Sequence, residues 1–250
     1  MENTGLTRKS FVAHRGYQAS YPENTRLSLL SAIQVGARFI ELDVQFSRDK
    51  HPIIYHDTDL QRISGIAAKV CELSREQLLS IPAYEPNRLG DQFYNEKIAP
   101  LEALTTILQD HPSVTAFVEL KQESIGHCSR THIIKSVREI LHPVAQQTVI
   151  MSFDYQLAGY AREAGWPWVG VVLKNWHDLT DKLVVEIQPD YVFVNHLIIP
   201  TELDLHNHPA LANSKLVAYE VADFALAQSL FKRGVDMHET FDIKQLLEAL

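Results

Sequence analysis

The chain alternates short apolar runs with longer amphipathic stretches. The runs are FVAH (11–14), FIELDV (39–44), PIIYH (52–56), VTAFVEL (114–120), TVIMSF (148–153), WVGVVL (168–173), YVFVN (191–195), KLVAYEV (215–221) and VDMHET (235–240), rich in β-branched or aromatic residues. Between them a helical period is legible. Leu29, Ala32, Ile33 and Gly36 fall at i, i+3, i+4 and i+7 after Asn24, the expected cap, and Ala222, Ala225, Leu226 and Leu230 continue to a stop at Gly234. Strands spaced by helices are the pattern of parallel βα units. About eight such units fit the length of a (β/α)8 barrel, so an α/β TIM barrel is the expected fold, with a doubly wound sheet as the alternative.

One of the nine runs is then extra. Only Gln45 to His51 separate PIIYH from FIELDV, which leaves no room for a crossover helix and predicts a hairpin. Residues 57–100 carry Pro82, Pro86, Asn87, Gly90 and Pro100 and one short helical pattern around Ser74 to Leu79, which reads as a small insertion beside the barrel mouth. No repeat or linker divides the rest, so residues 1–250 are expected to be one barrel domain with 57–100 inserted.

Composition narrows the class. At 46% hydrophobic and 22% charged residues the chain is ordinary globular chemistry, and its net charge of −8 argues against coating nucleic acid or lying on anionic membranes. Cys71 and Cys128 are too few for a disulfide framework, so reduced thiols in the cytoplasm are expected. The opening reaches its apolar stretch late and breaks it at His14 and Arg15, giving no leader core, and no run approaches the ~20 apolar residues of a membrane helix.

Polar residues that interrupt apolar strands near their C-terminal ends are the candidates for chemistry. Glu41 and Asp43 are two apart in FIELDV and project from one face; Glu119 and Lys121 repeat the spacing in VTAFVELK. Three carboxylates converging without a nearby cysteine or histidine pair are hard oxygen ligands, suited to one divalent cation, Mg2+ or Ca2+. Pairing of Glu41 or Glu119 with a lysine or arginine as packing stands as the alternative. His14 ends the first strand beside Arg15 and Gly16, and His56 with Asp57 ends PIIYH. Equal counting from a turn near Arg48 to Lys50 puts His56 roughly opposite Asp43. Two histidines flanking a metal form a natural general acid and base, since imidazole titrates near neutral pH.

These residues carry a resemblance. His14-Arg15-Gly16, Pro22-Glu23-Asn24-Thr25, Gly36-Ala37, Glu41-Leu42-Asp43, His56-Asp57 with Leu60 and Arg62, and Glu119-Leu120-Lys121 resemble the glycerophosphodiester phosphodiesterase family in order and spacing. The likeness is densest over residues 11–62. It continues through Pro100-Leu101-Glu102 and residues 114–121, returns weakly at Ser152-Phe153 and Gly234 to Thr240, and leaves about half the chain without a family-specific residue. It implies hydrolysis of a glycerophosphodiester, such as glycerophosphocholine or glycerophosphoethanolamine, to glycerol 3-phosphate and an alcohol. It further implies metal on Glu41, Asp43 and Glu119, catalysis by His14 and His56, and phosphate contacts from Arg15 and Lys121. The partner is then a small molecule, the chain a monomer or homodimer without stable membrane association, and a catalytically inactive barrel that binds a phosphorylated metabolite or a protein is the competing reading. Phospholipase action on intact lipids is disfavoured, since the sequence shows no basic amphipathic helix.

The sequence departs from the family near the last two strands. Ala218-Tyr219-Glu220-Val221 and Glu239-Thr240-Phe241 stand where members often read Trp-Thr-Val-Asn and Ile-Thr-Asp. Glu220 and Glu239 there would meet a cationic alcohol, or pair with a mouth lysine such as Lys174. Trp176 could offer choline an aromatic face, or cover a helix end. The usual Asp-Gly turn reads Asp49-Lys50. Asn195 and His196 follow a strand and could touch substrate. Ser152 lacks a nucleophile-elbow context.

Overall fold

In the computed structural model, which describes residues 5–250, every run named above contributes a strand. Residues 1–4, the start of the segment read as lacking a leader core, lie outside the described residues. The strands are β1 (Phe11–Ala13), β2 (Phe39–Phe46), β3 (Pro52–Ile54), β4 (Ala99–Pro100), β5 (Thr115–Leu120), β6 (Thr148–Ser152), β7 (Trp168–Val172), β8 (Tyr191–Asn195), β9 (Lys215–Tyr219) and β10 (Met237–Thr240). β1, β2 and β5 to β10 are all parallel and close through a β1–β2 pairing into an eight-stranded α/β TIM barrel.

The extra run is β3, which pairs antiparallel with β2, and β4 pairs antiparallel with β3. The hairpin register differs by one from equal counting. Val44 faces Ile54 and Tyr55 N–H bonds to the Asp43 carbonyl at 2.9 Å, because the loop runs from Ser47 to His51 between Phe46 and Pro52. Lys50 closes that loop at φ 63°, the left-handed conformation for which the usual glycine is suited. A one-residue change reverses which face a side chain takes. Tyr55 therefore packs under the 57–100 segment, and His56 follows it out of the strand toward the barrel mouth.

Alternation along the strands builds two cores. Val12, Phe117, Val149, Met151, Val172, Phe193, Val217 and Met237 point inward and fill the barrel, while Ile40, Leu42, Val44, Ala116 and Val118 point outward beneath the helices. Gly170 belongs to this filling, since a Cβ there would sit 3.0 Å from the Phe193 ring and 3.1 Å from Met151 Cβ. The helix Arg26–Gln34 is capped by Thr25, whose side chain accepts the Ser28 N–H, and not by Asn24. Asn24 is drawn instead to Asp43. In 57–100, Ser74 caps the helix Arg75–Ser80, and Leu60, Ile63, Val70, Leu78, Ala83 and Ile98 cluster against Ile53 and Tyr55.

Candidate active site

At the C-terminal ends of the barrel strands lies a cavity of about 180 Å³. Its wall divides by strand. β1, β2 and β5 with their following turns supply His14, Arg15, Glu41, Glu119 and Lys121; β6 to β8 supply Met151, Phe153, Val172 and Phe193; β9 and β10 supply Tyr219, Glu220 and Glu239. His56 enters from the segment after β3. Inward alternation on β2 and β5 places the acidic groups there, since Phe39, Glu41 and Asp43 share one face and Phe117 and Glu119 another that meets it.

Glu41, Asp43 and Glu119 are buried and offer oxygens that all lie within 4.8 Å of one another. Their surroundings differ. Asp43 is held by Asn24, whose Nδ2 donates to Oδ2 at 2.8 Å while its Oδ1 accepts the Asp43 N–H at 3.0 Å. Burial alone would raise the Asp43 carboxyl, but Lys121 at 3.4 Å and Arg15 at 3.4 Å hold it below the usual carboxylate range. Glu119 is paired with Lys121 at 2.8 Å, as the packing alternative required for a single carboxylate, yet burial still raises it. Glu41 accepts the Arg15 N–H at 2.9 Å through Oε2, and its Oε1 has no partner. Burial, then Asp43, Glu239 and Glu119, push the Glu41 carboxyl well up. A buried oxygen without a donor, in an all-oxygen cluster with surplus negative charge, suits a hard divalent cation. These residues therefore fit such an ion.

The His14 backbone N–H bonds to Thr240, its ring stacks on Phe241 at 4.7 Å, and its Nε2 lies 3.8 Å from Glu41 Oε2. Burial, then Arg15, lowers its pKa well below 6.5, so the ring is held neutral. Arg15 itself takes φ 56°. Gly16 follows at φ 79° with Ser28 Oγ only 2.5 Å from where a Cβ would stand, so this turn admits only glycine.

A second acidic group gathers outside the cavity. Glu23 and Asp57 lie close enough to His56 to suggest another ion site, but their oxygens are already engaged. Both Glu23 oxygens accept from Arg62 and Oε1 also from Arg15, while Asp57 accepts from Arg62 and His56. Glu23, Asp57 and Arg62 belong to the family likeness without an assigned role, and Asn24 only as a helix cap. Their signal was a run of polar residues beside a capped helix, whose partners are distant in sequence.

On the far wall, Glu239 is 2% exposed and its Oε1 has no partner. Burial, then Glu119 and Asp43, raise its carboxyl well above the usual range. Glu220, at φ 62°, accepts from Asn195 Nδ2 at 3.0 Å, and the Tyr219 phenol is raised to about 12 by burial and Glu119. Neither glutamate pairs with Lys174, which donates to Gln122 at 3.1 Å instead. Trp176 does not line the cavity; it meets the His208 ring edge-on at 5.8 Å. Ser152 Oγ donates to the Leu120 carbonyl and serves the backbone. Cys71 and Cys128 are both free thiols, and no helix among the described residues is long and apolar enough to cross a membrane.

The acidic, two-histidine mouth lies at the C-terminal end of a parallel barrel, and comparison gives the chain a family. Residues 14–237 match the glycerophosphoryl diester phosphodiesterase family, and the chain belongs to it. It is 31% identical over 147 residues to glycerophosphodiester phosphodiesterase 1 of Bos taurus, an alignment covering 58% of this chain and 43% of that protein. The chain thus spans under half of the mammalian relatives it matches. It is 25% identical over 187 residues to a glycerophosphodiester phosphodiesterase of Caldanaerobacter subterraneus, covering 72% and 75% of the two chains. Among solved structures, its fold matches that of an Oleispira antarctica phosphodiesterase held with its product sn-glycerol-3-phosphate, with TM-score 0.81, 22% identity and 96% of each chain covered.

Proposed function

We propose that this chain hydrolyses glycerophosphodiesters to glycerol 3-phosphate and an alcohol such as choline or ethanolamine. The observation that supports this most is the convergence on one small cavity of Glu41, Glu119, two histidines, Arg15 and Lys121, with Asp43 buried within 4.8 Å of the two glutamates. At about 180 Å³ the cavity is smaller than the 300 Å³ and more of drug-sized sites, and suits a short polar substrate. In this reading residues 1–250 act as one barrel unit with 57–100 inserted at its mouth.

Glu41, Asp43 and Glu119 would hold one divalent cation, Mg2+ or Ca2+, which when bound offsets charge on the phosphoryl oxygens. Arg15 and Lys121 bind and orient the phosphate, their charges lining the cavity. His14, kept neutral by burial and Arg15, takes a proton at Nε2 from the nucleophilic hydroxyl, whether water or the glycerol 2-hydroxyl. His56, which also lines the cavity, supplies the proton to the departing alkoxide. Phe153 and Phe193 give the leaving alcohol an apolar wall.

The test is release of glycerol 3-phosphate from glycerophosphocholine and glycerophosphoethanolamine with Mg2+, Ca2+ or EDTA. We expect metal-dependent turnover that falls about 10²–10⁴-fold in His14→Ala and His56→Ala and to background in Glu41→Ala. Turnover that survives EDTA, or that is unchanged in His14→Ala, would refute the assignment.

A further inference from the structure

We propose that Arg62, a residue of the inserted segment that does not line the cavity, is a positioning residue for both His56 and Arg15, acting through Asp57 and Glu23. The proposal rests on the phosphodiesterase reading above for its effect on rate, and on the hydrogen bonds alone for its geometry.

The Arg62 guanidinium joins two carboxylates. Nε and Nη2 donate to Asp57 Oδ2 and Oδ1, each at 2.8 Å, while Nη1 and Nη2 donate to Glu23 Oε2 at 2.9 Å and Oε1 at 2.8 Å. Each carboxylate then holds one residue of the cavity wall. Asp57 Oδ1 lies 2.7 Å from His56 Nδ1, and Glu23 Oε1 accepts from Arg15 Nη1 at 2.9 Å. Only a planar guanidinium presents donors in the two directions this requires; an ammonium is a point charge without the fork.

The consequence for His56 is a defined ring. The side-chain bonds from His56 and Arg62 outweigh burial and keep Asp57 ionised, so it can only accept, and the hydrogen of the short contact belongs to Nδ1. Nε2 is then the nitrogen left for the cavity. The consequence for Arg15 is a fixed reach, since Glu23 is 1% exposed and anchors the guanidinium that also faces Asp43.

Arg62 stands where it does because of the insertion. Leu60 and Ile63 flank it and are buried in the segment's apolar cluster, and the N–H groups of Tyr84 and Glu85 close on the Ile63 carbonyl at 3.0 and 2.9 Å. Glu85 makes a second grip, accepting the Glu23 N–H at 2.7 Å while Arg88 clamps its carboxylate and reaches the Tyr21 carbonyl. The insertion thus holds the loop that carries Glu23 and Asn24 at two points.

The two arms make different predictions, which a staple that only held the segment in place would not. Steady-state kinetics on glycerophosphocholine with saturating divalent metal should show Asp57→Asn losing kcat by roughly 10–100-fold with KM little changed, and Glu23→Gln chiefly raising KM. Arg62→Ala should do both, Arg62→Lys should restore little, and Arg75→Ala, on the same segment but paired only with exposed Glu102, should do neither. Ring 15N shifts should report a hydrogen on His56 Nδ1 in the wild type and its partial loss in Arg62→Ala and Asp57→Asn. Folded Arg62→Ala with kcat and KM within twofold of wild type, or a His56 Nδ1 without its hydrogen in the wild type, would overturn the proposal. If Arg62→Ala does not fold, the split between the isosteric Asp57→Asn and Glu23→Gln decides. A wild type without turnover would count against the phosphodiesterase reading, and the 15N shifts would still judge the geometry.

Discussion

His14 and His238 are both buried, in different surroundings. His14 faces charges across the cavity; His238 points outward from β10, with Nδ1 on the Ser10 carbonyl at 3.2 Å and its ring 6.0 Å from that of Phe11. Burial lowers His238 to about 4 against an unfolded value of 6.5. Between these values the unfolded chain binds a proton that the folded chain refuses. The stability associated with a neutral ring is therefore complete above pH 6.5 and is lost as pH falls toward 4, by up to roughly 3 kcal/mol. Urea unfolding at pH 7 and pH 4.5 should show a smaller acid loss in His238→Gln than in the wild type; equal losses would show that His238 does not titrate in this way. Some of the backbone strain lies at the mouth. Arg15, Asn24 and Glu220 adopt φ of 56°, 55° and 62° without being glycine, each costing about 1–2 kcal/mol that their contacts around Asp43, Glu41 and Asn195 offset.

At the scale of elements, β7 shows how tightly the barrel is filled. Gly170 leaves the space taken by the Phe193 ring and Met151, and the rings of Phe117 and Tyr191 pack against Phe193 from within the same cluster. Gly170→Val should destabilise by about 1–3 kcal/mol through overpacking, read as a lower urea midpoint with an unchanged m-value. An unchanged midpoint would mean that the lumen can relax. Strands of this kind were legible in the sequence because period-2 apolar alternation and parallel spacing are local properties. Glu41, Asp43 and Glu119 were legible for the same reason, as polar residues on an inward face. β4 was not, since Ala99–Pro100 is a two-residue pairing with no alternation to read. The hairpin register was missed by one residue because loop length, set by the left-handed Lys50, is not encoded in the apolar pattern. Arg62 and Glu23 are 39 residues apart, and only the insertion's packing brings them together.

The whole molecule concentrates its cost in one place. Net charge is −8, and Glu41, Glu119 and Glu239 are buried around one cavity where, among the described residues that line it, Arg15 and Lys121 are the lysine and arginine side chains opposing them. A divalent cation that binds only the folded chain should raise its unfolding temperature with concentration, following RT ln(1 + [L]/Kd). Thermal unfolding in millimolar Mg2+ or Ca2+ against EDTA should show this rise in the wild type and little of it in Glu41→Gln; equal rises would place the ion elsewhere. Closure of the barrel through β1 and β2 has another result. Among the described strands the free edge is β4, two residues long and ending in Pro100, so almost no unpaired backbone row is offered to a neighbouring molecule. Templated aggregation by edge-to-edge pairing has no starting strip on this surface, and crowding the folded chain, in a cell or a concentrated stock, does not by itself seed fibrils.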